Sequence, residues 1–259
     1  MTAKFQHIKF AVDDRVARIS FVRPPLNVLN IAMMREIGDA LNQCARRDVV
    51  AIVFQAGEDA RAFSAGVAVE EHVPETVFQM LDTFHNIFRV LRQISRPVVA
   101  VVDGAALGGG CELVAGCDIV IASERARFGQ PEIKLGVFPP IATILLPRII
   151  GEKKARELIL LGEMIDANEA LRLGLVNYVV PTADLAQKTN SILARLREFS
   201  SSSLAMTRTA LDTGGLDANF DSALERVENV YLNELMKTLD ATEGVRSFMD
   251  KRKPQWQNK

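Results

Sequence analysis

Three apolar runs of strand length alternate with helical segments in the first half of the chain, and this alternation limits the possible folds. The runs are VVAIVFQAG at 49–57, PVVAVVDG at 97–104 and CDIVIAS at 117–123. Strands that are apolar throughout are typical of parallel sheets covered on both faces. Segment 74–94, between the first two runs, carries apolar residues at helical spacing. The order strand, helix, strand predicts βαβ units and a largely parallel sheet, and therefore an α/β fold.

The flanking parts of the chain extend this prediction. Runs 7–13 and 16–22 predict a hairpin, and Asn30 is a candidate cap for a helix over 31–46. After Gly151 the chain becomes mainly helical, with one strand-like piece, LVNYVVP. The predicted helices there are 152–162, 167–173, 182–199, 201–212, 217–238 and 240–250.

Composition excludes several classes of protein. The 259 residues include 31 Lys and Arg against 32 Asp and Glu, which gives no electrostatic case for binding nucleic acid or an anionic membrane. The chain has no apolar run of about 18 residues and no signal-peptide pattern at its start, so we expect a cytoplasmic protein. Three cysteines without CxxC spacing predict buried, reduced thiols. With three histidines and no HExxH motif, we expect no metal site.

The stretch LGGGCELVAGCD, residues 107–118, places a glutamate just after three glycines in an apolar region. We expect the glycines to open a helix, whose first amides have no internal acceptor and favour negative charge. Such an amide suits a developing oxyanion. A phosphate site is the chemical alternative, but the stretch lacks the GxxxxGK[ST] spacing. Close packing of a helix on a strand is the structural alternative.

Two carboxylates are candidates for acid and base work. Glu112 falls on the first turn of the predicted helix, and Glu132 lies in FGQPEIKLG, beyond one strand and a turn. The two side chains could therefore face one cleft, although Glu132 could instead cap a turn. The small-residue turn after Phe63, Ser64-Ala65-Gly66, could supply a second backbone amide to the same cleft.

Taken together, these stretches resemble the crotonase superfamily, the enoyl-CoA hydratase/isomerase family. The matching motifs are RPPLNVLN at 23–30, AFSAGVA at 62–68, DGAALGGGCELVAGCD at 103–118 and FGQPEIKLG at 128–136. Segment 151–181 is also similar to the corresponding part of the family. The resemblance covers nearly the whole chain.

The resemblance implies a fold, an assembly and a reaction. The fold would be a spiral of ββα units over residues 1–195, followed by a helical region, 196–259, that builds trimers or dimers of trimers. The substrate would be an acyl-CoA thioester, so that no separate cofactor is needed. The enzyme would be a hydro-lyase. Glu112 would activate water, and Glu132 would give or take the proton at the α-carbon.

The same resemblance assigns the binding residues. The amides of Val67 and Gly109 would form the oxyanion hole for the thioester oxygen. Further substrate contacts would come from Ala65, Gly66, Ala68 and Gly108.

Two segments depart from the common hydratase pattern. VAVEEH at 67–72 lacks the usual aspartate and lysine, and VFPPIATILLP at 137–147 replaces a glycine-rich run. Pro140 stands where a glycine amide usually helps to hold water, and proline has no N–H. With Phe138 it predicts a stiff, apolar wall. His72 would line the acyl pocket or be a surface or packing histidine after the oxyanion turn. This combination resembles the family members that hydrate cyclohexa-1,5-diene-1-carbonyl-CoA in anaerobic aromatic degradation.

The sequence also allows alternative functions, some of them acyl-CoA reactions and others not enzymatic. A general short-chain enoyl-CoA hydratase would use the same two glutamates, and an enoyl-CoA isomerase would use the same oxyanion hole without activated water. RNA binding in this family depends on a lysine-rich helix, whereas segment 35–48 has three arginines and no lysine. A catalytically inactive scaffold is disfavoured by the presence of Gly109, Glu112 and Glu132.

Overall fold

The computed structural model describes residues 5–45, 49–199, 201–214 and 220–255. Its strands form two sheets. The main sheet consists of β1 (Ile8–Asp13), β2 (Val16–Phe21), β3 (Ala51–Ala56), β5 (Val98–Val102), β7 (Ile119–Ser123) and β10 (Tyr178–Val180), in that spatial order. The small sheet consists of β4 (Ala62–Ser64), β6 (Ala105–Leu107), β8 (Arg127–Gly129) and β9 (Met164–Asp166).

The main sheet has the predicted strand directions. β1 and β2 form an antiparallel hairpin, and every later neighbour pair in this sheet is parallel. The central strands are buried on both faces, as their continuous apolar sequence predicted.

The helices of the described residues lie between and after the strands. They are α1 (Ile31–Ala45), α2 (Val77–Ile94), α3 (Gly109–Ala115), α4 (Pro140–Ile150), α5 (Glu152–Leu161), α6 (Ala167–Leu173), α7 (Leu185–Arg197), α8 (Ser201–Gly214), α9 (Phe220–Asn229) and α10 (Leu239–Met249). The predicted cap of α1 is confirmed, because the side-chain Oδ1 of Asn30 accepts the N–H of Met33 at 3.0 Å. Arg46, the last residue of that predicted helix, lies outside the described residues.

The strands and helices repeat as ββα units. β3, β4 and α2 form one turn, β5, β6 and α3 the next, and β7, β8 and α4 the third. In each turn the first strand joins the main sheet and the second joins the small sheet. The small sheet therefore brings the segments that follow β4, β6 and β8 to one side of the molecule, where the candidate site lies.

Helices cover the main sheet on both sides. The predicted apolar face of α2 is buried, and it packs in one large core with α1. On the opposite side, Leu185, Ile192 and Leu193 of α7 pack against sheet residues such as Val99 and Ile121. The division of the chain at residue 195 stays a prediction.

Two features of the fold were not predicted. The small sheet was missed because its strands have only three residues each, too few for a periodic pattern. Helix α4 was missed because prolines usually interrupt helices, yet Pro140 occupies the first helical turn, where its missing N–H costs nothing.

The predicted helix over 217–238 is also different in the structure. Residues 217–219 lie outside the described part, and α9 is followed by a π-helical turn, Val230–Glu234, and a 3₁₀ turn, Leu235–Lys237. Of the helices in the described ranges, none has the length and apolar character needed to span a bilayer.

Candidate active site

The glycine-rich stretch turns the chain from β6 into α3. Gly108 has a φ of 51°, a left-handed conformation that favours glycine, and α3 begins at Gly109. At Gly110 a Cβ atom would lie 2.8 Å from the Cβ of Ser64 and would also press on the Ser64 carbonyl oxygen. The glycines therefore allow α3 to approach the end of β4 closely, which confirms the predicted helix start.

The loop after β4 is held by the RPPLNVLN stretch. The side-chain amide of Asn27 donates to the carbonyl oxygens of Ala62 and Phe63, at 3.0 and 3.2 Å. The Ser64 hydroxyl donates to the Asn27 carbonyl oxygen at 2.8 Å and accepts the N–H of Gly66 at 3.1 Å. These bonds give the asparagine of the motif a structural role, since they fix the backbone just before Val67.

The two candidate oxyanion donors are neighbours. A Cβ atom at Gly109 would lie only 3.4 Å from the backbone N of Val67, and Gly66 lies against Gly108 and Gly109 in the same way. Within the described ranges, the N–H groups of Val67 and Gly109 donate none of the hydrogen bonds found between elements. Two adjacent amides without acceptors are the arrangement that an oxyanion hole requires.

Glu112 lies on the first turn of α3 and is only 2% exposed. Its Oε1 accepts the backbone N–H of Ala142 at 2.8 Å, from the first turn of α4. Burial raises the pKa of Glu112 to about 7, and the amides of Ala142 and Ile141 limit that rise. The carboxyl group can therefore exchange a proton near neutral pH.

Glu132 reaches the same place from a 3₁₀ turn, Pro131–Leu135, that follows β8. Burial and the charge of Glu112 raise the pKa of Glu132 well above its ordinary value. A Cβ atom at Gly108 would clash with Glu132 Oε1. Among the described residues, the buried Oε2 atom of Glu132 has no hydrogen-bond partner. The two glutamates thus share one site, as predicted, and their charges disfavour simultaneous ionisation.

These groups line a single cavity together with most of the predicted substrate contacts. The cavity offers about 70 Å³ to water-sized molecules, room for a few of them. The predicted residues that line it are Ala65, Gly66, Val67, His72, Gly108, Gly109, Glu112, Glu132, Phe138 and Pro140. Ala68, predicted as a substrate contact, is absent from the lining and is fully buried.

His72 is a buried member of the lining. Its Nδ1 lies 3.0 Å from the carbonyl oxygen of Ala68, so Nδ1 carries the hydrogen and Nε2 is the free position of the neutral ring. Burial lowers the pKa of His72 and favours that neutral form. His72 therefore lies at the cavity, and its predicted role towards an acyl group stays a prediction.

Other lining residues were missed in the sequence. Met80, Leu81 and Phe84 were assigned to the core face of α2, and the same side chains also line the cavity. Tyr231 comes from the π-helical turn near the C-terminus, and its ring lies 5.1 Å from that of Phe138. Helical spacing identified the first three as buried, but no local pattern indicated Tyr231.

A spiral of ββα units that brings two carboxyl groups and two free amides to one cavity is the mark of crotonase-type enzymes. Comparison with known proteins agrees: residues 12–259 match the enoyl-CoA hydratase/isomerase family, and the chain belongs to it. The family and its hydratase members identify the chain as a hydro-lyase enzyme. The predicted fold class is therefore confirmed.

Individual relatives match along the whole chain. The cyclohexa-1,5-dienecarbonyl-CoA hydratase of Thauera aromatica is 35% identical over 251 residues, covering 95% of each chain. A probable enoyl-CoA hydratase of Rhizobium meliloti is 39% identical over 259 residues, covering 98% of this chain and 99% of that one. The crystal structure of an enoyl-CoA hydratase from Mycobacterium avium subsp. paratuberculosis superposes with a TM-score of 0.87 at 29% identity, covering 98% of this chain and 100% of that one.

Proposed function

We propose that this enzyme adds water to a conjugated double bond of an acyl-CoA thioester, and that its substrate is a cyclic dienoyl-CoA. The observation that carries the reaction is the presence of Glu112 and Glu132 in one cavity with the amides of Val67 and Gly109. Hydration needs one group that accepts a proton from water and one that donates a proton to carbon, and two carboxyl groups can divide this work.

In the proposed reaction the thioester oxygen lies between the amides of Val67 and Gly109. These donors stabilise the negative charge that develops on this oxygen as the hydroxyl group adds. Ionised Glu112 removes a proton from the attacking water, and protonated Glu132 delivers a proton to the α-carbon. The raised pKa of each carboxyl supports this division, because mutual repulsion retains one proton on the pair near neutral pH.

The proposed cyclic substrate is supported by one wall of the cavity. Phe138, Pro139 and Pro140 present an apolar surface, and Pro140 has no N–H to bind water there. Such a stiff wall suits a flat ring better than a flexible chain. The relative from Thauera aromatica, a cyclohexa-1,5-dienecarbonyl-CoA hydratase, supports the same substrate class.

A mass-spectrometric assay tests both levels of the proposal. The protein is incubated separately with crotonyl-CoA and with cyclohexa-1,5-diene-1-carbonyl-CoA, and each product is examined for a gain of one water. We expect rapid hydration of the diene and little of crotonyl-CoA. Hydration of crotonyl-CoA alone would refute the cyclic substrate, and hydration of neither would refute the hydratase.

The second candidate is a general short-chain enoyl-CoA hydratase. It is favoured by the 39% identity to the probable enoyl-CoA hydratase of Rhizobium meliloti. The same assay separates the candidates, since this enzyme would prefer crotonyl-CoA.

We also propose that the enzyme assembles as a trimer or a dimer of trimers in the cytoplasm. Large apolar side chains exposed on the C-terminal helices support self-association: Met206 is 74% exposed and Leu211 70%. Cys44, Cys111 and Cys117 are not joined in disulfides, which supports a reducing compartment. Sedimentation of the purified protein tests the assembly, and a monomer would refute it.

A further inference from the structure

The hydroxyl group of Tyr231 is a buried polar group without a partner. The side chain is 1% exposed and lines the active-site cavity, and among the described residues its oxygen has no hydrogen-bond partner. The Oε2 atom of Glu132, which lines the same cavity, is also unpartnered. Leaving such groups unsatisfied destabilises a folded protein, so a functional reason is expected where two occur together. One polar ligand in the cavity could bind to both the Tyr231 hydroxyl and Glu132 Oε2.

The position of Tyr231 is set by contacts on both sides. Its ring packs edge-on against Phe138, with the planes 66° apart. Three residues earlier, Glu228 Oε1 lies 2.6 Å from the Nδ1 of buried His85 and 3.0 Å from the guanidinium of Arg89. These bonds attach the end of α9 to α2, which itself lines the cavity. Tyr231 is therefore held in place rather than packed by chance.

The other polar groups of the cavity already have assignments. The amide of Ala142 is bound to Glu112, and Pro140 has no N–H. In neutral His72 the hydrogen on Nδ1 is directed to Ala68, which leaves Nε2 an acceptor only. The amides of Val67 and Gly109 are assigned to the thioester oxygen. Among the described lining residues, Tyr231 then carries the hydroxyl group that can donate to a second oxygen.

We propose that Tyr231 is a further catalytic residue, whose hydroxyl donates a hydrogen bond to the oxygen atom that water adds to the substrate. The inference rests on the proposed hydration. Tyr231 would hold the attacking water between Glu112 and Glu132 and then bind the hydroxyl group of the product. It would thereby provide the donor that Pro140 cannot supply.

Two measurements on the full chain test this role, with Tyr231→Phe as the variant. The first compares the Kd values of butyryl-CoA and acetoacetyl-CoA, which have the same chain length but differ by an oxygen on the β-carbon. We expect the wild type to bind acetoacetyl-CoA more tightly than butyryl-CoA. In the variant this preference should be roughly 3- to 10-fold smaller, which corresponds to the loss of one neutral hydrogen bond. The second is kcat for hydration, which should fall at least about 10-fold while the Kd of butyryl-CoA is unchanged.

The only other tyrosine of the chain provides the matched control. Tyr178 lies in β10 and is absent from the lining of the cavity, so Tyr178→Phe should keep both the wild-type preference and the wild-type kcat. A Tyr231→Phe variant that retains the preference for acetoacetyl-CoA would overturn the inference and reduce Tyr231 to a packing residue.

The binding measurement also separates this inference from the proposed function. A wild type that binds both thioesters without hydrating any enoyl-CoA would refute the hydratase, and the ratio of Kd values would still decide whether the Tyr231 hydroxyl binds an oxygen on the β-carbon. A wild type that binds neither thioester and hydrates no enoyl-CoA would refute both.

Discussion

The backbone N–H of Ala142 donates a 2.8 Å hydrogen bond to Oε1 of Glu112, and thereby joins the first turn of α4 to the first turn of α3. The unpaired amides at the start of a helix stabilise the negative charge of a nearby carboxylate. The bond stabilises the ionised form of a side chain that is only 2% exposed. Burial still dominates, and the pKa of Glu112 is raised to about 7.

Replacing either glutamate by glutamine should abolish most turnover. We expect Glu112→Gln and Glu132→Gln each to lower kcat about 10²- to 10⁴-fold, the contribution of a general acid or base. The Kd of butyryl-CoA should stay within about tenfold, because the carboxyl groups act on the transition state. Steady-state kinetics and calorimetry measure the two quantities. A variant that keeps the wild-type kcat would exclude the two-glutamate mechanism.

The rate should depend on pH in a bell shape. The productive enzyme carries one proton on the Glu112–Glu132 pair, and the pKa of each carboxyl is raised by burial. Activity should therefore fall below about pH 7 as the base is protonated, rather than near the ordinary carboxyl value. At higher pH it should fall again as the second proton is lost. A kcat/KM that is constant from about pH 5 to pH 9 would contradict the shared proton.

The free energy of unfolding should show the same titration. A carboxyl whose folded pKa is raised stabilises the fold fully below its unfolded value of 4.5, and this contribution is lost as pH rises through about 7. Glu112→Gln removes the titration and keeps an acceptor for Ala142. Between about pH 5 and pH 8, the free energy of unfolding of the variant should rise by about 2 to 3 kcal/mol relative to that of the wild type.

Denaturant unfolding at the two pH values measures that difference. Glu124→Gln is the matched surface control, since Glu124 is exposed and lies outside the cavity lining. If the free energy of unfolding changed equally with pH in both variants, burial would not be disfavouring the charged form of Glu112.

Two glycines with left-handed backbone allow steric and conformational effects to be separated. Gly108 has a φ of 51° and faces Glu132 Oε1, whereas Gly151 has a φ of 80° and no heavy atom within 4 Å of the point where a Cβ atom would lie. Both alanine variants should lose about 1 kcal/mol of stability from backbone strain. Only Gly108→Ala should also displace Glu132 and lower kcat, by at least about tenfold.

Thermal unfolding and kcat for the two variants check this prediction. Equal kcat values would show that Glu132 tolerates a methyl group at position 108. A lower kcat for Gly151→Ala would instead point to an effect of general strain.

The strands of the main sheet, the oxyanion loops and the shared position of the two glutamates could be predicted from the sequence, because each depends on a local pattern. Continuous apolar runs indicate buried strands, and glycines before Glu112 indicate a helix start beside a cleft. The resemblance to known hydratases then assigned roles that spacing alone left open. Those roles stay predictions, while the positions of the residues in one cavity agree with them.

The remaining features depend on contacts between distant segments. Pro140 was interpreted as the loss of an N–H from a wall, and its position at the start of α4 was not foreseen. The two following amides, those of Ile141 and Ala142, serve Glu112 instead. Tyr231 enters the cavity only because α9 folds back onto α2 through Glu228 and His85. Neither of these contacts produces a periodic pattern in the sequence.

The parallel pairing of β4, β6 and β8 governs where the chain can change in length. Ser64 pairs with Ala106, and Leu107 pairs with Gly129, so the residues after each strand are aligned across three turns of the spiral. Inserting one residue into β6 would move Gly109 about 3.3 Å relative to Val67 and reverse the direction of the intervening side chains. Insertions in the connections that lead from each helix to the next strand leave this alignment intact. Lineages derived from such a chain should therefore vary in length at the helix-to-strand connections and keep constant length from β4 to Val67, from β6 to Glu112 and from β8 to Glu132.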